Sequence, residues 1–176
     1  MGVNTFQELF VDEMKDIYDA EQRIVRALPK MIDKAGSDAL RTALQNHLRE
    51  TEQHVVRLER GFEQLGENPR RKACKAMEGL LAEGEELLKE SDDDNLRDVA
   101  IIAAAQKVEH YEMATYGTLR EWARQLGYDD LARTLQETLD EEGQADKKLT
   151  ELSGTLNLQA AETDGDMDGD FDEDDR

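Results

Sequence analysis

The chain has 176 residues, with 42 acids against 22 bases and a formal charge of −20. That length suits one domain with a real core plus appendages, and the sign of the charge argues against direct binding to nucleic-acid phosphates. The single cysteine, Cys74, excludes an internal disulfide framework and a zinc ribbon. No apolar run approaches the ~20 residues that span a bilayer, so no membrane partner is expected.

Two prolines and few aromatic residues point to an all-α protein. The acidic excess reads as a solvated shell of the kind found in salt-loving cytosols, where ionic strength screens self-repulsion. Met1-Gly-Val-Asn-Thr-Phe-Gln7 has no basic segment followed by an apolar one, which predicts a cytoplasmic protein.

In chain order, Asn4 or Thr5 can cap a first helix whose inner stripe is Phe6, Leu9 or Phe10, Ile17, Glu21, Ile24, Leu28 and Met31. Pro29 should bend this helix without ending it, because the apolar spacing continues to Ile32. Gly36-Ser37-Asp38 is a stop followed by a new cap. A second helix is expected over 39–65, with Leu44, His47, Glu50 or Thr51, His54, Leu58 and Phe62 inward. Residues 73–88 form a short helix weakened by two glycines, read as a crossover. A third long helix, over 95–126, follows Asp92-Asp93-Asp94. Gly127 leads into a fourth over roughly 130–152, with Leu131, Leu135, Thr138, Glu142, Ala145, Leu149 and Leu152 inward.

Leu44-Gln45, Glu50, Gln53 and Leu58 align without gaps on Leu135-Gln136, Glu141, Gln144 and Leu149, and Glu21 can be laid on Glu112. Two helix pairs joined by a crossover is the plan of a ferritin-like four-helix bundle. The bundle is expected over 1–155, with 156–176 as an acidic disordered tail. Within that tail, Asp164-Gly-Asp166-Met-Asp168-Gly169 copies the start of a calcium loop but lacks its closing Glu.

The inner stripes carry an anomaly. Carboxylates are rarely buried unless they are paired or bound to a metal, yet Glu21, Glu50 and Glu109 each interrupt an apolar stripe. The candidate metal ligands are Glu21, Glu50, His54, Glu109, Glu112, Glu142 and Asp146, with Glu141 the open alternative to Glu142. His47 reads as a partly buried surface histidine or one that borders the ligands without joining them, and His110 as solvated. Dinuclear sites in bundles place a Glu on each of two helices and a Glu-x-x-His on each of the others. Here neither Glu50 nor Glu141/Glu142 has a His at the third position; His54 lies four residues after Glu50 and Asp146 four after Glu142. Few histidines favour manganese or ferric iron over copper or zinc.

Asp16-Ile-Tyr-Asp-Ala-Glu-Gln22, His47-Leu-Arg-Glu-Thr51, Cys74-Lys-Ala-Met-Glu-Gly-Leu80 and Ala103-Ala-Ala-Gln-Lys-Val-Glu-His-Tyr-Glu112 together resemble the YciE/YciF-type ferritin-like proteins of bacteria and archaea. Glu137-Thr-Leu-Asp-Glu-Glu142 extends the resemblance into the fourth long helix. It implies a homodimeric ferritin-like bundle linked to stress responses, with a dimetal centre. The expected function is binding of dinuclear iron or manganese in stress protection, through iron, oxygen or peroxide chemistry. The alternative is a metal-free structural or interaction module that keeps the bundle.

Overall fold

The computed structural model describes residues 3–91 and 93–167, with side chains described to residue 162. It is an all-helical bundle of five helices: α1 (Phe6–Lys34), α2 (Asp38–Gln64), α3 (Lys75–Glu90), α4 (Asp94–Gln125) and α5 (Asp129–Met167). Helix starts follow local chemistry. Thr5 closes a capping box with Glu8, and Ser37 and Asp93 accept backbone N–H bonds at the starts of α2 and α4. Gly127, at φ +81°, makes the turn that folds α5 back on α4.

α1 packs on α2, α2 on α5, α5 on α4 and α4 on α1, while α3 lies against α4 and α1. Asp98, buried on α4, accepts from the backbone N–H groups of Gly36 and Ser37 at 2.8 and 2.7 Å and so ties the α1–α2 turn to the second helix pair. The Cys74 N–H at the start of α3 donates to Asp19 of α1 at 2.9 Å.

The repeat extends beyond the aligned motif. The separation that relates Leu44 to Leu135 also relates Glu21 to Glu112, Phe10 to Ile101, Ile17 to Val108, Leu28 to Leu119 and Leu58 to Leu149. Every one of these residues is buried. The two helix pairs therefore bury the same register, which brings Glu21 and Glu112 to matching depths.

Three expectations are corrected. Phe6, the first residue of α1, is 43% exposed and lies edge-on to Trp122, while Phe10 one turn on is fully buried. Glu50 also points outward, and Thr51 takes the buried position beside it. α5 does not stop near Leu152 but runs to Met167, with Leu156 and Ala160 still buried. Of the calcium-loop-like segment, 164–167 belong to that helix and the remainder lies outside the described residues.

Candidate metal centre

Six acidic and imidazole side chains meet in the bundle interior, and four helices supply them. α1 gives Glu21, α2 gives His47 and His54, α4 gives Glu109 and Glu112, and α5 gives Glu142; all six are buried. They form two groups within which the candidate ligand atoms lie within 4.8 Å of one another: His47, Glu109, Glu112 and Glu142 in one, and Glu21, His54 and Glu142 in the other. Glu142 is common to both.

Of the residues expected from the sequence, Glu21, His54, Glu109, Glu112 and Glu142 are brought together. Glu50 and Asp146 fall outside both groups. The Glu50 carboxylate is 47% exposed, and Asp146 accepts from the Gln106 side-chain amide at 3.1 Å near His110 at the rim. His47 was read as peripheral and is instead inside. The signal for it was its spacing from His54, seven residues or about two turns, which keeps both rings on one face of α2.

The repeat explains the unusual ligand set. Thr51 and His54 of α2 correspond in register to Glu142 and Ala145 of α5. The Glu of one Glu-x-x-His pair and the His of the other are thus replaced. Glu109 and His47 bring the total back to four carboxylates and two imidazoles, the number that dinuclear carboxylate sites use.

Close approach without hydrogen-bond alignment marks this cluster. His47 Nε2 lies 3.1 Å from Glu109 Oε1, and His54 Nδ1 lies 2.9 Å from Glu142 Oε1 and 3.6 Å from Glu21 Oε1. None of these aligns as a hydrogen bond. His47 Nδ1 and Nε2, His54 Nδ1, both oxygens of Glu112 and of Glu142, and one oxygen each of Glu21 and Glu109 are buried with no hydrogen-bond partner. Buried polar atoms are nearly always satisfied, and this concentration of unpartnered ones is a set that could hold a metal ion.

The charges agree. Burial, then the neighbouring charges of Glu142 and Glu21, push the Glu109 and Glu112 carboxyls well above the usual range. Burial also raises Glu21, against the opposing pull of His54. Burial raises Glu142 too, but His54 and His47 outweigh it and hold this carboxyl below its usual value. Burial depresses His47. It also opposes charge on His54, but Glu142 and Glu21 overcome it and push that imidazole up to about 11. Four carboxylates at such separations cannot all ionise without compensating positive charge.

Outer contacts orient the inner ones. Arg57 grips Glu141 through both guanidinium nitrogens, and Glu141 Oε2 lies 2.8 Å from His54 Nε2. With a metal ion in place of the Nδ1 proton, Nε2 donating to Glu141 would hold the ring with the Nδ1 lone pair aimed at Glu142 and Glu21, an arrangement common around metal-bound histidines. Tyr116, fully buried, donates to Glu21. Two clefts include His47 and Glu109 in their linings, one of about 440 Å³ between α1, α3 and α4 and one of about 550 Å³ between α2 and α5.

A family model described as "Domain of unknown function (DUF892)" matches residues 5–162. The chain belongs to that family. It is 42% identical to protein YciF of Escherichia coli over 154 residues, 87% of this chain and 93% of that one. The crystal structure of E. coli YciF, described as a stress protein, superposes with a TM-score of 0.85 at 40% identity, covering 89% of this chain and 99% of the other. YcfI from Rhodopseudomonas palustris, for which a structural role has been suggested, superposes at 0.83 with 44% identity, covering 84% and 94%. A Xanthomonas campestris protein at 20% identity shares the fold, with a TM-score of 0.75.

Proposed function

We propose that this chain is a ferritin-like four-helix bundle, with α3 as the crossover, that holds a dinuclear iron or manganese centre and serves in stress protection. The observation that carries the reading is the buried set of four glutamates and two histidines whose facing atoms lack hydrogen-bond partners. Glu21, His47, His54, Glu109, Glu112 and Glu142 would be the ligands, and Glu142 is common to both groups. Four carboxylates balance two dications. The donor set, rich in carboxylate oxygen, suits iron or manganese better than copper or zinc.

Such a centre, when loaded, supplies redox chemistry toward oxygen or peroxide. The chain's own contributions are positional. The Arg57–Glu141 pair holds the His54 ring, Tyr116 fixes one oxygen of Glu21 by donating to it, and the packing of four helices keeps bulk water from the carboxylates. The sequence similarity to YciF supports the stress role. A homodimer, a cytoplasmic location and an acidic tail beyond the bundle belong to the same proposal. Among the described residues, no helix is long and apolar enough to cross a membrane.

Protein purified without chelator, or incubated with iron(II) or manganese(II), should bind about two ions per chain, the number such carboxylate sites hold. Folded protein that stays metal-free refutes the proposal. The second reading, a metal-free structural module, is favoured by the role suggested for YcfI. It requires the inward carboxylates to be satisfied by neighbouring side chains or water in place of metal, as Glu142 is by the charge of His54, and the melting temperature to be insensitive to metal.

A further inference from the structure

The cleft of about 440 Å³ between α1, α3 and α4 combines two properties. Its walls are apolar, built from Ile24 and Leu28 of α1, Leu81 of α3 and Val108 of α4. Its border is basic. Arg23, Arg26, Lys30, Lys34 and Lys89 face Glu85 and Glu109 along the lining, five bases to two acids, in a chain with 22 bases to 42 acids.

Arg26, Lys30 and Lys34 recur every fourth residue along α1, so their like charges face one another on one side of the helix. Such repetition is destabilising unless an anion offsets it. The stripe already attracts one carboxylate. Lys30 holds Glu85 at 3.1 Å, and Lys30 first, then Lys89 and Lys34, keep that carboxyl below its usual range. At the inner end of the cleft stand His47 and Glu109.

We infer that this cleft binds an aliphatic carboxylate, its chain against the apolar walls and its head group at the Lys30–Lys34–Lys89 border. Volume and chemistry both fit. Small-molecule sites are mostly apolar clefts of roughly 300–1,000 Å³ with a few placed polar groups, and an acidic surface repels anions everywhere except where the sign is locally reversed. A bare phosphate or nucleotide would leave the apolar walls facing water, and an uncharged hydrocarbon would leave the basic border without an anion. The inner end of the bound chain would meet His47 and Glu109, so its closeness to a metal rests on the function proposed above. The binding itself does not.

The test is calorimetric titration of decanoate, below its micelle concentration, into the chelator-treated full chain. The expected result is saturable binding of one decanoate per chain, with decanol weaker by about tenfold and acetate not bound, as the apolar wall and the exposed charges together require. Lys34→Glu combined with Lys89→Glu should weaken decanoate by about tenfold or more and bring it level with decanol. Ala27→Phe, which projects a ring into the cleft, should abolish binding while helicity and melting temperature stay near the parent's. The inference is overturned if folded parent protein does not bind decanoate, if decanol binds equally well, or if folded Ala27→Phe binds as the parent does. It is also overturned if binding vanishes as protein concentration rises and a dimer forms, which would assign the cleft to a second copy of the chain. Since no metal is present in the titration, failure here leaves the metal proposal standing, and failure to bind metal leaves this one.

Discussion

Substituting Glu109 by Gln separates a metal ligand from a structural carboxyl. In the metal-free protein, burial and the charges around it keep the Glu109 carboxyl protonated far above its ordinary value of 4.5. A neutral amide of the same shape should therefore change metal-free stability by no more than about 1 kcal/mol. With metal the outcome is opposite, because the glutamine brings no negative charge. Losing a partner that only orients a ligand costs about 10–100-fold in affinity, so losing a ligand's own charge sets about 100-fold as the floor. Metal present at about 100 times its dissociation constant stabilises the parent by ~2.7 kcal/mol. For a chain of this size that is a rise of roughly 5–11 °C in melting temperature. Glu109→Gln should lose nearly all of that rise, and Glu109→Ala should lose it with a small further change from the truncated side chain. Glu86, exposed on α3, should tolerate either change. Calorimetric melting of chelator-treated protein, with and without manganese(II), reads both limbs. A Glu109→Gln protein that melts higher with metal by as much as the parent would refute the role given to this residue. So would one that loses several kcal/mol without metal.

Three further outcomes follow from particular contacts. Arg57→Met should leave Glu141 without its guanidinium and loosen the His54 ring, weakening metal binding by about 10–100-fold in a competition titration while the fold persists. Asp19 accepts from the Cys74 N–H and from Arg23; burial raises its carboxyl, but Arg23 and that N–H win and hold it below the usual aspartate range. Its contribution is thus fully present above about pH 4 and is lost as pH falls through the lower folded value, so Asp19→Asn should cost about 1–3 kcal/mol at neutral pH and flatten the acid limb of the stability curve. A Cβ at Gly61 would lie 2.9 Å from Leu131 Cδ1 and 3.2 Å from Met14 Cε, so Gly61→Ala should cost about 1–3 kcal/mol in denaturant unfolding, less if those two side chains rotate away.

The sequence by itself determined the helices and pointed to carboxylates on their inner faces. Capping residues, glycine stops and apolar spacing located the α1–α4 boundaries within about two residues, because those signals act over one or two turns of backbone. The same periodicity marked Glu21, Glu50 and Glu109 as charges on apolar stripes, and the first and last of these are buried, since a stripe's facing is set by its own spacing. The tertiary structure decided the remainder. Glu50 and Thr51 lie one residue apart, about 100° around the helix, and only the partner helices choose which of them faces inward. Glu141 and Glu142 posed the same choice. Packing against α2 and α4 sent Glu142 to the centre and left Glu141 to Arg57 and His54. His47 joined the cluster because α4 brings Glu109 within 3.1 Å of it. The continuation of α5 to Met167 was hidden because acidic, weakly apolar residues carry little periodic signal, and buried Leu156 and Ala160 mark where packing extends the helix. A helix's inward face can be read to within a residue from its own sequence; which atoms meet across four helices depends on how all four are rotated, and no single helix encodes that.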